Sequence, residues 1–185
     1  MEIRFLSSNQ YKIQETQIIL ELAKIKVIPL NEKIDELQTL DTEKLIKDKL
    51  LKAFKIVGKP IFIEHTGLYL NYLNDFPGGL TQIFWDSLEA EKFSELFGNL
   101  TDTKVVAKTH IGFCDEKKYF SFIGEVKGNI SEKPMGNRDF QWDCVFIPDG
   151  HTQTFAEMGS KKNEISMRRI ALDKFCEFLI EKKYG

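Results

Sequence analysis

Two apolar-rich stretches, Val105–Phe113 and Tyr119–Val126, flank a turn containing Asp115, Glu116 and Lys117. Their spacing predicts paired antiparallel strands, which commits the chain to a sheet. The opening of the chain adds helices to it. Ile3–Leu6 suits a buried strand, and Ser7, Ser8 and Asn9 then supply helix N-cap residues. A helix is expected to about Lys24, with Ile18, Ile19 and Leu22 on one face. Asp41 or Thr42 caps a second helix, in which Ile46, Leu50, Ala53, Phe54 and Val57 recur at helical spacing before Gly58 and Pro60 end it. Pro60–Ile63 and Leu68–Tyr72 read as two strands, with His65, Thr66 and Gly67 between them. Asp75–Gly79 reads as a loop leading into a helix over Thr81–Leu96. Asn129–Asp139 reads as a loop, and Cys144–Ile147 and Thr152–Glu157 as strands. A last helix carries Ala171, Leu172, Phe175, Leu179 and Ile180 on one face. Together these elements imply an α/β fold with a mixed sheet.

The 185 residues suit a single domain, 1–185, with a substantial core. A balance of 26 basic against 28 acidic residues argues against bulk electrostatic binding of nucleic acid. It leaves room for a small anionic substrate, which needs only a local basic cluster. Cys114, Cys144 and Cys176 show neither zinc-ligand spacing nor a disulfide framework. They read as small buried hydrophobes in a reducing cytoplasm. No apolar run reaches the roughly 18 residues of a membrane span.

The densest chemistry lies between Phe140 and Arg168. Phe140 and Trp142 flank Gln141, and Asp143 follows at once. In a strand, residues 140 and 142 share one face, and an aromatic face beside a carboxylate can stack and hydrogen-bond a nucleobase. Lys161, Lys162, Arg168 and Arg169 can neutralise phosphates. The same residues also read as core aromatics and solvated charges. At the opposite end of the chain, a helix start after Ser7–Asn9 presents free N–H groups that suit a phosphate.

Phe140, Trp142, Asp143, Phe146, Pro148 and Gly150, then Thr154–Met158, then Lys162, Asn163, Ser166, Arg168, Ala171 and Leu172 resemble an ordered signature. It is that of the inosine triphosphate pyrophosphatase family, whose pattern runs approximately F-G-[YW]-D-P-x-F-x-P-x-G, T-[FY]-A-E-M and K-N-x-x-S-H-R. The similarity extends over nearly the whole chain. It implies an elongated mixed sheet flanked by helices, with two lobes and a nucleotide cleft between them. It also implies a homodimer that uses Mg2+ to hydrolyse ITP, XTP and their deoxy forms to monophosphate and pyrophosphate. The family's opening [TS]-x-N-x-x-K stands here as Ser7, Asn9 and Lys12, implied to hold the triphosphate. Lys49 matches a family lysine that reaches the phosphates, and equally suits a structural lysine at the edge of an apolar face. Glu64, His65, Thr66, Gly67 and Leu68, with Pro77 and Gly78, match [ED]-D-[TS]-x-L and P-G.

The chain departs from the pattern where the chemistry lies. His65 stands for the Asp that serves metal and water, and Gln38 aligns with a metal-binding Glu, with Glu36 close by. His65 and Glu64 are therefore the catalytic candidates, and Gln38 and His65 the metal candidates. Met167 replaces a His, Gln141 a Gly, Met135 an Arg and Gln82 a Lys. Mg2+ prefers oxygen ligands, whereas imidazole suits Mn2+-like or other transition ions better. If β alternation holds, the side chains of Glu64 and His65 point to opposite faces. Three functions stay open: a pyrophosphatase of purine nucleoside triphosphates, a purine-nucleotide binder without catalysis, and a pyrophosphatase of altered base specificity.

Overall fold

In a computed structural model, residues 1–182 are described. Strands β1 (Glu2–Leu6), β2 (Lys26–Leu30), β3 (Ile61–Leu70), β4 (Phe76–Pro77), β5 (Lys104–Cys114), β6 (Tyr119–Ile130) and β7 (Phe146–Pro148) form one mixed sheet. Its order is β2-β1-β3-β5-β6-β7, with β4 paired to β3. β1 lies parallel to β2 and β3; the other pairings are antiparallel. Helices α1 (Gln10–Glu21), α2 (Thr42–Val57), α3 (Thr81–Phe97), α4 (Phe155–Met158), α5 (Lys162–Ile165) and α6 (Met167–Glu181) flank it. The mixed α/β class read from the sequence is the one observed.

The sheet sorts its apolar side chains into three clusters. Phe5, Phe62, Ile111, Phe113, Leu172 and Phe175 seat α1 and α6 on one face. Ile46, Leu50, Ala53, Ile61 and Ile63 seat α2 on the other. Leu68, Trp85, Phe93, Val105, Trp142 and Phe146 close the far end under α3. β1 pairs with β3 only at Arg4–Ile61 and Phe5–Phe62. Past that point β3 runs on against β5 while β1 turns away through Ser7–Asn9. The parting of two parallel strands leaves a crevice outside the end of β1, the place where open α/β sheets bind ligands.

α2 starts and stops as the sequence predicts: Asp41 caps it by accepting from Lys44 N at 3.0 Å, and Gly58 ends it at φ 63°. Other expectations fail for identifiable reasons. Residues 61–70 form one strand, and Gly67 is there for close approach: a Cβ on it would lie 2.5 Å from the Gly78 carbonyl oxygen. The strand expected over Thr152–Glu157 is a helix entry, because Thr154 and Glu157 form a reciprocal capping box. The strand expected over Cys144–Ile147 is Phe146–Pro148. Residues 141–144 form a 3₁₀ turn, entered with Gln141 at φ 47°, so Phe140 and Trp142 do not share a strand face. β6 continues to Ile130, absorbing the start of the expected loop. α1 ends at Glu21, and it buries Ile13, Thr16, Ile19 and Leu20, whereas Ile18 and Leu22 are exposed. Ile180 likewise leaves the buried face of α6.

Candidate active site

The crevice is a cleft of about 400 Å³. Five segments meet in it: the β1–α1 turn with Ser7, Asn9 and Lys12; the loop carrying Glu36 and Gln38; α2 with Lys49; β3 with Glu64, His65 and Thr66; and the start of α3 with Gln82. Ser7 and Asn9 shape the turn itself. Ser7 Oγ accepts from Asn9 N at 3.3 Å, and Asn9 Oδ1 accepts from Lys12 N at 3.1 Å as the α1 cap. The turn thereby aims the first N–H groups of α1 and the Lys12 ammonium into the cleft.

Successive β3 residues serve opposite sides of the sheet, as alternation requires. Glu64 meets α6 and α1: Arg168 Nε donates to its Oε2 at 2.5 Å, and Lys12 Nζ lies 3.0 Å from its Oε1. Thr66 Oγ1 donates to Glu64 at 2.8 Å. Burial would raise the Glu64 carboxyl, but the charges of Arg168 and Lys12, with hydrogen bonds from Arg168 and Thr66, hold it well below the usual carboxylate range. Burial pulls the Lys12 ammonium down, offset in part by Glu64.

His65 turns to the α2 side. Its Nδ1 lies 3.5 Å from Glu36 Oε1, while Lys49 Nζ donates to Glu36 Oε2 at 2.6 Å. Burial lowers the His65 pKa, only partly opposed by Glu36, so the ring is neutral near pH 7. Burial works against the Glu36 charge, yet His65 and Lys49 keep that carboxyl ionised far into the acid range. His65 Nε2 is buried and has no hydrogen-bond partner among the described residues. A neutral imidazole whose Nδ1–H faces Glu36 leaves Nε2 as a bare acceptor.

A second constellation adjoins the cleft. Phe140, Trp142, Asp143, Met167 and Arg168 line a recess with Lys12 and Thr66. Lys162 Nζ donates to Asp143 Oδ2 at 2.6 Å and to Glu15 Oε1 at 2.9 Å. Arg168 also donates to Glu15. Burial pushes the Asp143 carboxyl up despite the Lys162 ammonium beside it. Lys162 Nζ sits 4.3 Å from the Phe140 ring centroid.

The structure thus brings together Ser7, Asn9, Lys12, Lys49, Glu64, His65 and Thr66 around the cleft, and Phe140, Asp143, Lys162 and Arg168 around the recess. Trp142 edges the recess but is 3% exposed and packs on Phe146, so it is a core residue rather than a free stacking face. Of the two loop carboxylates that line the cleft, Glu32 and Glu36, Glu36 is the one that meets His65 and Lys49. Gln38 lines the cleft too, but its amide donates to the Glu36 carbonyl at 3.0 Å, and it offers no charge to a cation. Glu15 escaped sequence reasoning; its signal was helical spacing, since it lies three residues after Lys12 on α1. No group of three or more His, Cys, Asp or Glu side chains able to hold a metal occurs among the described residues. Glu32, Glu36, Glu64 and His65 line the cleft; Glu36 is held by His65 and Lys49, and Glu64 by Arg168 and Lys12, so a cation would have to displace one of these lysines or take Glu32 and His65 Nε2. One or two protein ligands completed by substrate phosphates and water is the usual Mg2+ arrangement, so the cleft fits a cation delivered with a nucleotide.

The chain resembles known proteins over nearly its whole length. The chain is 33% identical to a dITP/XTP pyrophosphatase of Saccharolobus solfataricus over 97% of its length and 94% of the relative's. It is 35% identical to an inosine triphosphate pyrophosphatase of Candida glabrata over 96% of its length and 97% of the relative's. The structure of a HAM1 protein from Coxiella burnetii superimposes with a TM-score of 0.81 at 26% identity, covering 98% of this chain and 99% of that one. The Staphylococcus aureus Ham1 protein gives 0.79 at 27% identity, covering 98% and 100%. The Ham1 family profile matches residues 3–178, and the chain belongs to the Ham1 family.

Proposed function

We propose that this chain is a nucleoside triphosphate pyrophosphatase acting on ITP, dITP and XTP. The observation that carries it is the meeting of two sites across β3. The cleft offers Lys12, Lys49 and a helix start to a polyphosphate, and the adjoining recess offers Phe140, Asp143 and Lys162 to a base. The names of the relatives point to the same substrates.

In this reading Lys12 and Lys49 bind the triphosphate, with the α1 start between them. Phe140 stacks the base, and Asp143 and Lys162 hydrogen-bond its edge. His65 Nε2 accepts a proton from the attacking water, with Glu36 fixing the ring through Nδ1. Water attacks the α-phosphorus, the bond to the bridging oxygen breaks, and pyrophosphate leaves. Glu36 is the carboxylate for a divalent cation, Mg2+ or Mn2+, which would neutralise charge building on the phosphate oxygens. Arg168 and Glu64 pair where the two sites meet. The same reading takes the protein as a cytoplasmic homodimer, on family resemblance alone. No described helix is long and apolar enough to cross a membrane.

The test is a substrate panel of ITP, XTP, dITP, GTP and dUTP with Mg2+ or Mn2+, with products separated by anion exchange. Preferential conversion of ITP and XTP to monophosphates supports the reading. Saturable ITP binding without turnover under either ion overturns it in favour of a nucleotide binder, and preference for dUTP or GTP in favour of altered base specificity.

A further inference from the structure

We propose that Tyr11 is the gate of the base recess: its ring occupies the surface of Phe140 that a nucleobase uses, and swings away when the base enters. The inference rests on the reading that the base stacks on Phe140.

Phe140 is approached from two directions. Lys162 comes from the buried side, with Nζ 4.3 Å from the ring centroid and the residue 3% exposed. Tyr11 comes from the surface, 45% exposed, its ring centred 5.3 Å from that of Phe140 with 30° between the planes. That is the offset stack that aromatic rings favour. The recess between Phe140, Asp143 and Met167 has a free volume of about 10 Å³, at or below what one water molecule needs. A purine therefore cannot enter until a side chain moves.

The surroundings decide which one. Displacing Lys162 would strand Asp143, which it contacts at 2.6 Å, and take from Glu15 one of its two cationic partners, leaving it Arg168; a buried charge left unpaired is costly. Tyr11 breaks no ion pair by moving, and exposed side chains change rotamer in nanoseconds or less. Its position couples the gate to the phosphate end, because Tyr11 sits on the first turn of α1, between the Asn9 cap and Lys12. The family resemblance does not account for this residue, because the N-x-x-K pattern leaves position 11 open.

The consequence is base-selective. A ring that must first be unstacked lowers the apparent affinity for any nucleobase by the fraction of time the gate stands open. A polyphosphate lacking a base meets Lys12 and Lys49 and does not compete with Tyr11.

The test is calorimetric binding of the α,β-methylene analogue of ITP and of inorganic tripolyphosphate, with Mg2+, to the full chain and to Y11A, Y11F and F140A. Y11A is expected to bind the ITP analogue about 2- to 10-fold more tightly, with tripolyphosphate unchanged. Y11F is expected to match the parent, since the ring and not the hydroxyl makes the stack. F140A is expected to weaken the analogue and spare tripolyphosphate. An unchanged or weakened Y11A, alongside a weakened F140A, overturns the gate and leaves the base site standing. An F140A that binds like the parent removes the base site and the gate with it.

Discussion

Arg168 and Glu64, 104 residues apart in sequence, meet through Nε and Oε2 at 2.5 Å. Both side chains are almost wholly excluded from solvent, at 1% and 2% exposure. The pair ties α6 to β3 where the cleft and the adjoining recess meet.

Removing one member leaves the other charged and buried. Glu64→Ala is expected to lower unfolding stability by about 3–5 kcal/mol, the usual result for a broken buried pair. Arg168→Lys is expected to lose a substantial part of that, because an ammonium cannot reproduce the fork that reaches Glu64 and Glu15. Urea denaturation at pH 7 measures both. Losses under about 1 kcal/mol would show that the pair is not structural.

The acid side of the stability curve should report the same carboxylates. Glu64 and Glu15 both have folded pKa values below their ordinary ones, because Arg168 with Lys12 or Lys162 outweighs the cost of burial. A depressed carboxyl binds fewer protons folded than unfolded. Its stabilisation is complete above the unfolded value of about 4.3 and disappears as pH falls through the folded value. Stability of the parent should therefore decline below about pH 5, and Glu64→Gln should show a shallower decline. Parallel curves for the two proteins would contradict this account.

His65 should control turnover more than binding. His65→Ala is expected to lower kcat about 10²- to 10⁴-fold, the range for a lost general base, with little change in KM for ITP. His65→Asp, which restores the residue of the family pattern, is expected to retain far more activity than His65→Ala. Equal losses in the two variants, by steady-state kinetics, would rule out a proton-accepting role.

Gln141 occupies a backbone conformation that favours glycine, at φ 47°. Gln141→Gly is expected to relieve that strain and raise stability by up to about 1 kcal/mol. The variant also loses an exposed contact to Gln82, which contributes little. Thermal unfolding gives the answer, and a clear drop in Tm would mean that the contact matters more than the strain.

How much the sequence disclosed follows from what kind of signal each element carries. Asp41 and Gly58 bound α2 by local capping chemistry, and local chemistry is legible in a sequence. Glu64 and His65 could be assigned opposite faces from alternation alone, and their partners bear this out. The sequence suggests a break at His65–Gly67 where β3 is continuous, because Gly67 answers to a loop eleven residues away, pressing on it from outside the strand. Trp142 looked like a stacking surface because nothing local announced the turn at Gln141. Glu36 and Glu15 reach the site from a loop and a helix whose directions are set by tertiary packing, so their roles emerge only when α1, α2 and β3 are placed together.

The most direct measurement is hydrolysis of ITP by the purified protein with Mg2+ in ¹⁸O-labelled water, followed by phosphorus NMR and mass spectrometry. The account predicts IMP carrying one labelled oxygen, together with unlabelled pyrophosphate, because water attacks the α-phosphorus in the cleft beside His65. Formation of IDP with labelled orthophosphate, or recovery of unchanged ITP, would contradict it.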